Sequence, residues 1–178
     1  MRIVVVQDYK ENRAKCTLTP LDGKLGISFL RLGHPARSSR TVEVGSGVLL
    51  HLDGAPLARS DSALLRQGSL FMIDSTWARV AKVLDRLEVL PGAELVKRSL
   101  PAGFFTAYPR ASKLYKDPES GLASVEALFA ATAVLEEPRF DFLASYRWAR
   151  EFLERNAAII ARICGGPDIS CALPSVPS

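Results

Sequence analysis

Two short runs, "GVLLHL" (47–52) and "SLFMI" (69–73), set the strongest limit on what this chain can fold into. Both are apolar nearly throughout and lack the polar alternation of a strand that faces water on one side. Such strands must be covered on both faces, and sheets covered on both faces are mostly parallel, with helices packed against them. "RIVVV" (2–6) and "AELVKRSL" (93–100) fit the same sheet. Between the runs lie "SALLRQG" (62–68) and "WARVAKVLDRL" (77–87). The latter sets Val80, Val83, Leu84 and Leu87 on one stripe, with Arg79, Lys82 and Arg86 outside, which predicts an amphipathic helix. This order predicts an α/β fold with a mostly parallel sheet.

The second half changes character. "ASVEALFAATAVLEE" (123–137) is rich in good helix formers and is ended by Pro138. "DFLASYRWAREFLERNAAIIARICGG" (141–166) carries Leu143, Trp148, Phe152, Ile159, Ile160 and Ile163 at helical spacing and stops at Gly165–Gly166. Its stretch "YRWAREFLERN" reads as a core helix with a solvated charged face. "PDISCALPSVPS" (167–178) reads as a flexible tail. The expected division is an α/β domain over 1–103, a helical domain over 104–166, and the tail.

No stretch reaches the roughly 18 uninterrupted apolar residues that cross a bilayer. The start, "MRIVVVQDYKENR", turns polar at once and has no small-residue cleavage site, so it reads as a first strand and not a signal peptide. The expected location is the cytoplasm, with no membrane partner. Cys16, Cys164 and Cys171 cannot all pair and form no CxxC, and His34 and His51 have no ligand-spaced neighbours. The expectation is reduced thiols and no metal site.

Residues 1–90 carry 13 Lys and Arg against 9 Asp and Glu, whereas residues 91–178 carry 10 of each. The whole excess of +4 therefore lies in the first half. Lys10, Arg13, Lys15, Lys24, Arg31, Arg37 and Arg40 crowd into residues 10–40, with only Glu11 and Asp22 against them. That skew suits an anionic partner, and ordinary surface charge would read the same.

Asp74 ends a predicted central strand, the edge of an open α/β sheet where ligands bind. A simpler reading has Asp74, Ser75 or Thr76 capping the helix that begins near Trp77. The two are compatible, because a capped helix start still points N–H groups at a crevice. Trp77 reads either as a half-buried wall of the core or as a flat face beside a cationic ligand. "SGLASVEALFAA" (120–131) offers Ser124 as a cap and Glu126 in the first turn, which suits an anion site or an ordinary helix start. "FFTAYPRASKLYKDPESG" (104–121) interleaves Phe104, Phe105, Tyr108 and Tyr115 with Arg110, Lys113 and Lys116. It suits unpaired nucleotides or a plain surface loop.

Taken in order, "DYKENRAKCTLTPL" (8–21), "GVLLHLDG" (47–54), "MIDSTWARV" (72–80), "RSLPAGFFTAYP" (98–109), "LASVEALFAA" (122–131) and "YRWAREFLERN" (146–156) carry a resemblance over nearly the whole chain. The chain resembles the small-subunit ribosomal RNA aminocarboxypropyltransferases, ribosome-biogenesis proteins of archaea and eukaryotes. "DSTW" is also similar to the signature of the related DTW-domain tRNA aminocarboxypropyltransferases, as is the long "YPRASKLYKDPESGLASVEAL" stretch. The resemblance implies a SPOUT-like fold with a helical C-terminal domain and a trefoil-knotted backbone. Knots are rare, and no strand pattern suggests one. It implies S-adenosylmethionine as group donor and no metal. The 3-amino-3-carboxypropyl group would move to N3 of a uridine or pseudouridine in ribosomal RNA, releasing methylthioadenosine. Partners would be RNA, ribosomal before transfer RNA, and a pre-ribosomal particle, met by a monomer. The alternatives are a tRNA-uridine enzyme, a non-catalytic assembly factor that binds S-adenosylmethionine, and a methyltransferase of the same fold.

Carried over by motif, Asp74 is the cofactor-site acid and general base. Trp77 and Val80 wall the sulfonium methyl, Ile73 meets the ribose through its backbone, and Thr17 lies near the amino-acid end. Leu50 and Leu52 fall on the adenine cleft, and Phe105, Leu122 and Ser124 complete the cofactor site from the helical domain. Lys10, Arg13, Lys15, Arg110, Lys113 and Lys116 are the expected RNA contacts. The chain departs from the family at its start: of a Cys-Asp-Pro-Lys-Lys-Cys-like segment only Lys15 and Cys16 remain. An Ala-Asn-Pro-Val-Asn-Tyr-like stretch and the N-terminal cysteine cluster of the DTW proteins are missing.

Overall fold

The computed structural model describes residues 1–36, 41–109, 118, 121–135 and 137–165. The chain divides into two compact units, Met1–Ser99 and Leu100–Ser178. The expected tail and the candidate contacts Arg110, Lys113 and Lys116 lie outside the described residues.

The first unit holds β1 (Arg2–Gln7), β2 (Ile27–Arg31), β3 (Val42–Val44), β4 (Gly47–Pro56), α1 (Ser62–Leu65), β5 (Ser69–Asp74), α2 (Val80–Leu84), β6 (Leu87–Val89) and β7 (Leu95–Ser99). Five strands form a sheet in the order β2-β1-β5-β4-β7, and β3 pairs with β6 separately. Every pairing among the described residues is parallel. The two apolar runs thus lie side by side as β5 and β4, and β5 is the middle strand. Alternation splits its side chains between the faces. Phe71 packs with Val6, Leu49 and Val83, and Ile73 packs against that cluster. Leu70, Met72 and Asp74 point to the opposite face, where Leu70 is fully buried.

The helix expected over 77–87 is shorter. A 3-10 turn, Trp77–Arg79, leads into α2, and Leu87 already belongs to β6. The reason is pairing: Val42 N–H donates to the Arg86 carbonyl at 2.7 Å, and Val42 lies opposite Leu87. Val83 is buried in the core, whereas Val80 and Leu84 are half-buried. Arg79, expected outside, is folded over onto Asp8.

The second unit is helical: α3 (Ser124–Val134), a 3-10 turn at Phe140–Leu143, α4 (Ala149–Arg155) and α5 (Ala157–Cys164). α3 is buried almost all round, as its Ala-rich, apolar sequence allows. Its Phe129 meets Phe152 edge-on, with ring centroids 5.9 Å apart. The helix expected over 141–166 starts only at Ala149, after the 3-10 turn, and is interrupted at Asn156, whose side chain bonds the Phe105 backbone. Gly165 closes α5 in a left-handed conformation, φ 70°, the expected stop. Among the described residues no helix is long and apolar enough to cross a membrane.

Candidate functional site

β1 and β5 end together. Their register sets Gln7 opposite Asp74, and Asp8 N–H donates to the Asp74 carbonyl at 3.0 Å, carrying the ladder one step further. Paired residues of parallel neighbours share a face, so the Gln7 and Asp74 side chains stand together. Gln7 Nε2 donates to Asp74 Oδ2 at 3.0 Å. Cys16 Sγ, from the loop after β1, donates to the same oxygen at 2.9 Å. Asp74 is 3% exposed, Gln7 3% and Cys16 8%, so this is a buried polar cluster at the carboxyl edge of the sheet. Burial pushes the Cys16 thiol up to about 11, and the Asp74 charge and hydrogen bond add to the rise.

The next residue of each strand builds a second cluster. Asp8 accepts from Ser75 Oγ at 3.0 Å and from Arg79 through both Nε and Nη2. Burial alone would raise the Asp8 carboxyl. The Arg79 guanidinium, the Ser75 hydroxyl and the Lys10 N–H outweigh it and hold the carboxyl below its ordinary 3.8. Arg79 also lies 5.1 Å from the Tyr9 ring centroid, and Tyr9 meets His34 edge-on at 5.0 Å. These contacts tie the exits of β1, β2 and β5 to one another. Glu11 stands nearby, its carboxyl raised by burial and by the charges of Asp74 and Asp8.

Of the three cap candidates in "DSTW", Thr76 takes the N-cap position without using its side chain. Its carbonyl accepts from Arg79 N–H at 2.8 Å. Ser75 serves Asp8, and Asp74 faces Gln7 and Cys16. Trp77 opens the turn half-buried, and Val80, half-buried, starts α2. Ile73 sends its side chain into the core cluster. Thr17 follows Cys16 and is half-buried.

Leu50 and Leu52 lie at a break in β4. The β4–β7 register shifts between Leu50 and Ala55, both of which oppose Arg98, so residues 51–54 loop out between them. A Cβ on Gly54 would come within 2.5 Å of the Arg98 backbone, so only glycine fits there. Arg98 is fixed in turn by Asp61, which is 5% exposed and 3.0 Å away. The bulge leaves Leu50 half-buried and Leu52 40% exposed.

In the second unit, two buried polar side chains fix one loop. Asn156 Oδ1 accepts from Phe105 N–H at 2.7 Å, and its Nδ2 donates to the Phe105 carbonyl at 2.8 Å and the Phe152 carbonyl at 2.7 Å. Glu126 accepts from Ala107 N–H, Thr106 Oγ1, Tyr146 Oη and Ala123 N–H, at 2.6 to 2.8 Å. The last bond is half of a capping box. The N-cap is therefore Ala123, and Ser124, expected there, is the first helical residue. The loop so held presents Phe105 with 61% of its surface exposed, while Leu122 is buried and Ser124 half-buried.

Lys10, Arg13 and Lys15 are exposed on the loop after β1, and Arg13 lies 3.4 Å from Asp22. Among the described residues no group of three or more His, Cys, Asp or Glu side chains could hold a metal ion.

Sequence reasoning singled out Asp74 and Trp77 but not Gln7, Asp8 and Cys16. A signal was present: "VVVQDY" and "FMIDST" both pass from apolar to polar at the same step, as adjacent strands ending at one edge would.

No family model matches the chain, and no curated protein matches it. Among solved structures the chain is similar to the SAM-dependent rRNA:acp-transferase Tsr3 from Vulcanisaeta distributa, at 22% identity and a TM-score of 0.66. The match covers 96% of this chain and 85% of that one. At that identity the likeness shows the fold.

Proposed function

We propose that the chain is an RNA aminocarboxypropyltransferase that uses S-adenosylmethionine and modifies N3 of a uridine or pseudouridine in small-subunit ribosomal RNA. The observation that carries the reading is Asp74: a buried carboxylate at the carboxyl end of the central strand, held by Gln7 and Cys16, with Trp77 opening the turn that follows. The fold shared with a ribosomal RNA acp-transferase supports it. So does the basic first half of the sequence. On the same reading the backbone is SPOUT-like and trefoil-knotted, and the protein works as a cytoplasmic monomer.

The residues suit such a donor. The half-buried Trp77 and Val80 give the apolar wall that a sulfonium methyl needs, and the Trp77 ring face attracts a cation. Ile73 meets the ribose through its backbone, Leu50 and Leu52 the adenine, and Thr17 the amino-acid end. S-adenosylmethionine supplies three electrophilic carbons on one sulfur: the methyl, the γ-carbon of its amino-acid arm and C5′. Position decides which is attacked. Trp77 and Val80 shield the methyl. Asp74 accepts the N3 proton of the base, and Lys10, Arg13 and Lys15 hold phosphates of the RNA.

The test is mass spectrometry of ribosomal RNA nucleosides from cells with and without the gene. An aminocarboxypropyl-uridine or -pseudouridine that vanishes on deletion is the expected result. With purified protein the released product is expected to be methylthioadenosine. S-adenosylhomocysteine in its place would sink the reading in favour of methyl transfer.

A further inference from the structure

Asp74 is aimed by two segments outside its own strand. Gln7 is set beside it by the β1–β5 register. Cys16 is set by its loop: its N–H donates to the Asn12 carbonyl at 3.0 Å, and Leu18 N–H donates to its sulfur at 3.4 Å. The sulfur thus accepts from the backbone while its proton goes to Asp74 Oδ2. With the thiol pushed up to about 11, the proton stays on sulfur throughout the neutral range, and the donor is permanent. A thiol is a weak donor. It orients the carboxylate from one fixed direction without carrying a charge of its own.

We infer that Cys16 is a positioning residue for the transfer reaction: with Gln7 it fixes Oδ2 of Asp74 as a thiol donor, so that the carboxylate is presented to the base in one orientation. The inference rests on the reading of Asp74 as proton acceptor; the thiol–carboxylate contact does not.

The test uses the full chain with Cys164→Ser and Cys171→Ser, leaving Cys16 as its one thiol. Its infrared S–H stretch is expected at the low-frequency end of the thiol range and should move up in Asp74→Ala. A band that Asp74→Ala leaves in place overturns the contact. In turnover, Cys16→Ala is expected to lower kcat about 2- to 10-fold, the worth of one ordinary hydrogen bond. KM for S-adenosylmethionine should stay within about twofold, because the residue acts through Asp74 and not on the donor. Cys16→Ser, which restores a donor, should recover most of the loss. Undiminished kcat in Cys16→Ala, or a serine variant no better than alanine, overturns the positioning role. A parent chain without transfer activity overturns the catalytic reading of Asp74 and the role of Cys16 in it, while the band still decides the contact.

Discussion

At the scale of single residues, a carboxylate buried at 3% exposure must be served by donors, and Asp74 is. Asp74→Asn keeps the shape and removes the proposed base, so turnover is expected to fall ~10²–10⁴-fold. Affinity for S-adenosylmethionine, read by calorimetry, should change far less. Wild-type turnover in the variant would remove the base assignment. Trp77→Ala should do the reverse, weakening donor affinity first; an unchanged Kd would sink the wall assignment. Cys16 adds a prediction that needs no reaction. Its folded pKa is raised from 9.0 to about 11, so its contribution to stability is fully present below about pH 9. Between 9 and 11 the unfolded thiol ionises while the folded one does not, and that contribution is lost. Stability measured by denaturant titration should therefore fall more steeply over that window in the parent than in Cys16→Ala. Equal slopes would mean the thiol is not held neutral by the fold.

At the scale of elements, what was legible in the sequence was what periodicity encodes. The runs at 2–6, 47–52 and 69–73 are strands of one parallel sheet because largely buried apolar runs allow little else, and the more polar run at 93–100 joins them as the half-buried edge strand β7. β2, β3 and β6 were not legible: β2 mixes Ser28 and Arg31 with its apolar residues, β3 and β6 have three residues each, and β6 takes its first residue, Leu87, from the end of a helical stripe. Pairing with β3 overrode the local pattern there. The break at Asn156 has the same cause. Its neighbours keep a helical stripe, but its amide bonds the backbone of Phe105, a partner 51 residues away, as well as the Phe152 carbonyl one turn back. No window of sequence contains that information. Asn156→Ala would leave the Phe105 N–H and C=O without that partner, at a cost of about 1–3 kcal/mol. For a chain of this size that lowers the melting temperature by roughly 2–4 °C per kcal/mol. Glu126→Gln should act in the same direction, since an amide NH2 would replace an acceptor oxygen among four donors. Variants that melt with the parent would show that the loop is held by something else.

At the scale of the whole molecule, charge is the property that local structure does not absorb. The excess of +4 lies within residues 1–90, and part of the basic content there is committed inside the first unit. Arg79 serves Asp8, while Arg13 and Arg31 share Asp22. Lys10 and Lys15 stand exposed on the loop that also delivers Cys16 to Asp74. The loop thus joins a basic surface to the buried carboxylate through a few residues, which is the arrangement an enzyme needs if it grips a phosphate backbone and acts on one base. Each phosphate contact with single-stranded RNA releases condensed counterions, contributing about −0.7 to the slope of log K against log salt. Replacing Lys10, Arg13 and Lys15 together by alanine should therefore make the slope shallower by roughly 2 and weaken binding at low salt most. Asp74→Asn, which removes no cation, should leave the slope as it is. RNA binding that does not respond to salt, or a triple variant with the parent's slope, would place the RNA on another surface and separate the basic loop from the reaction.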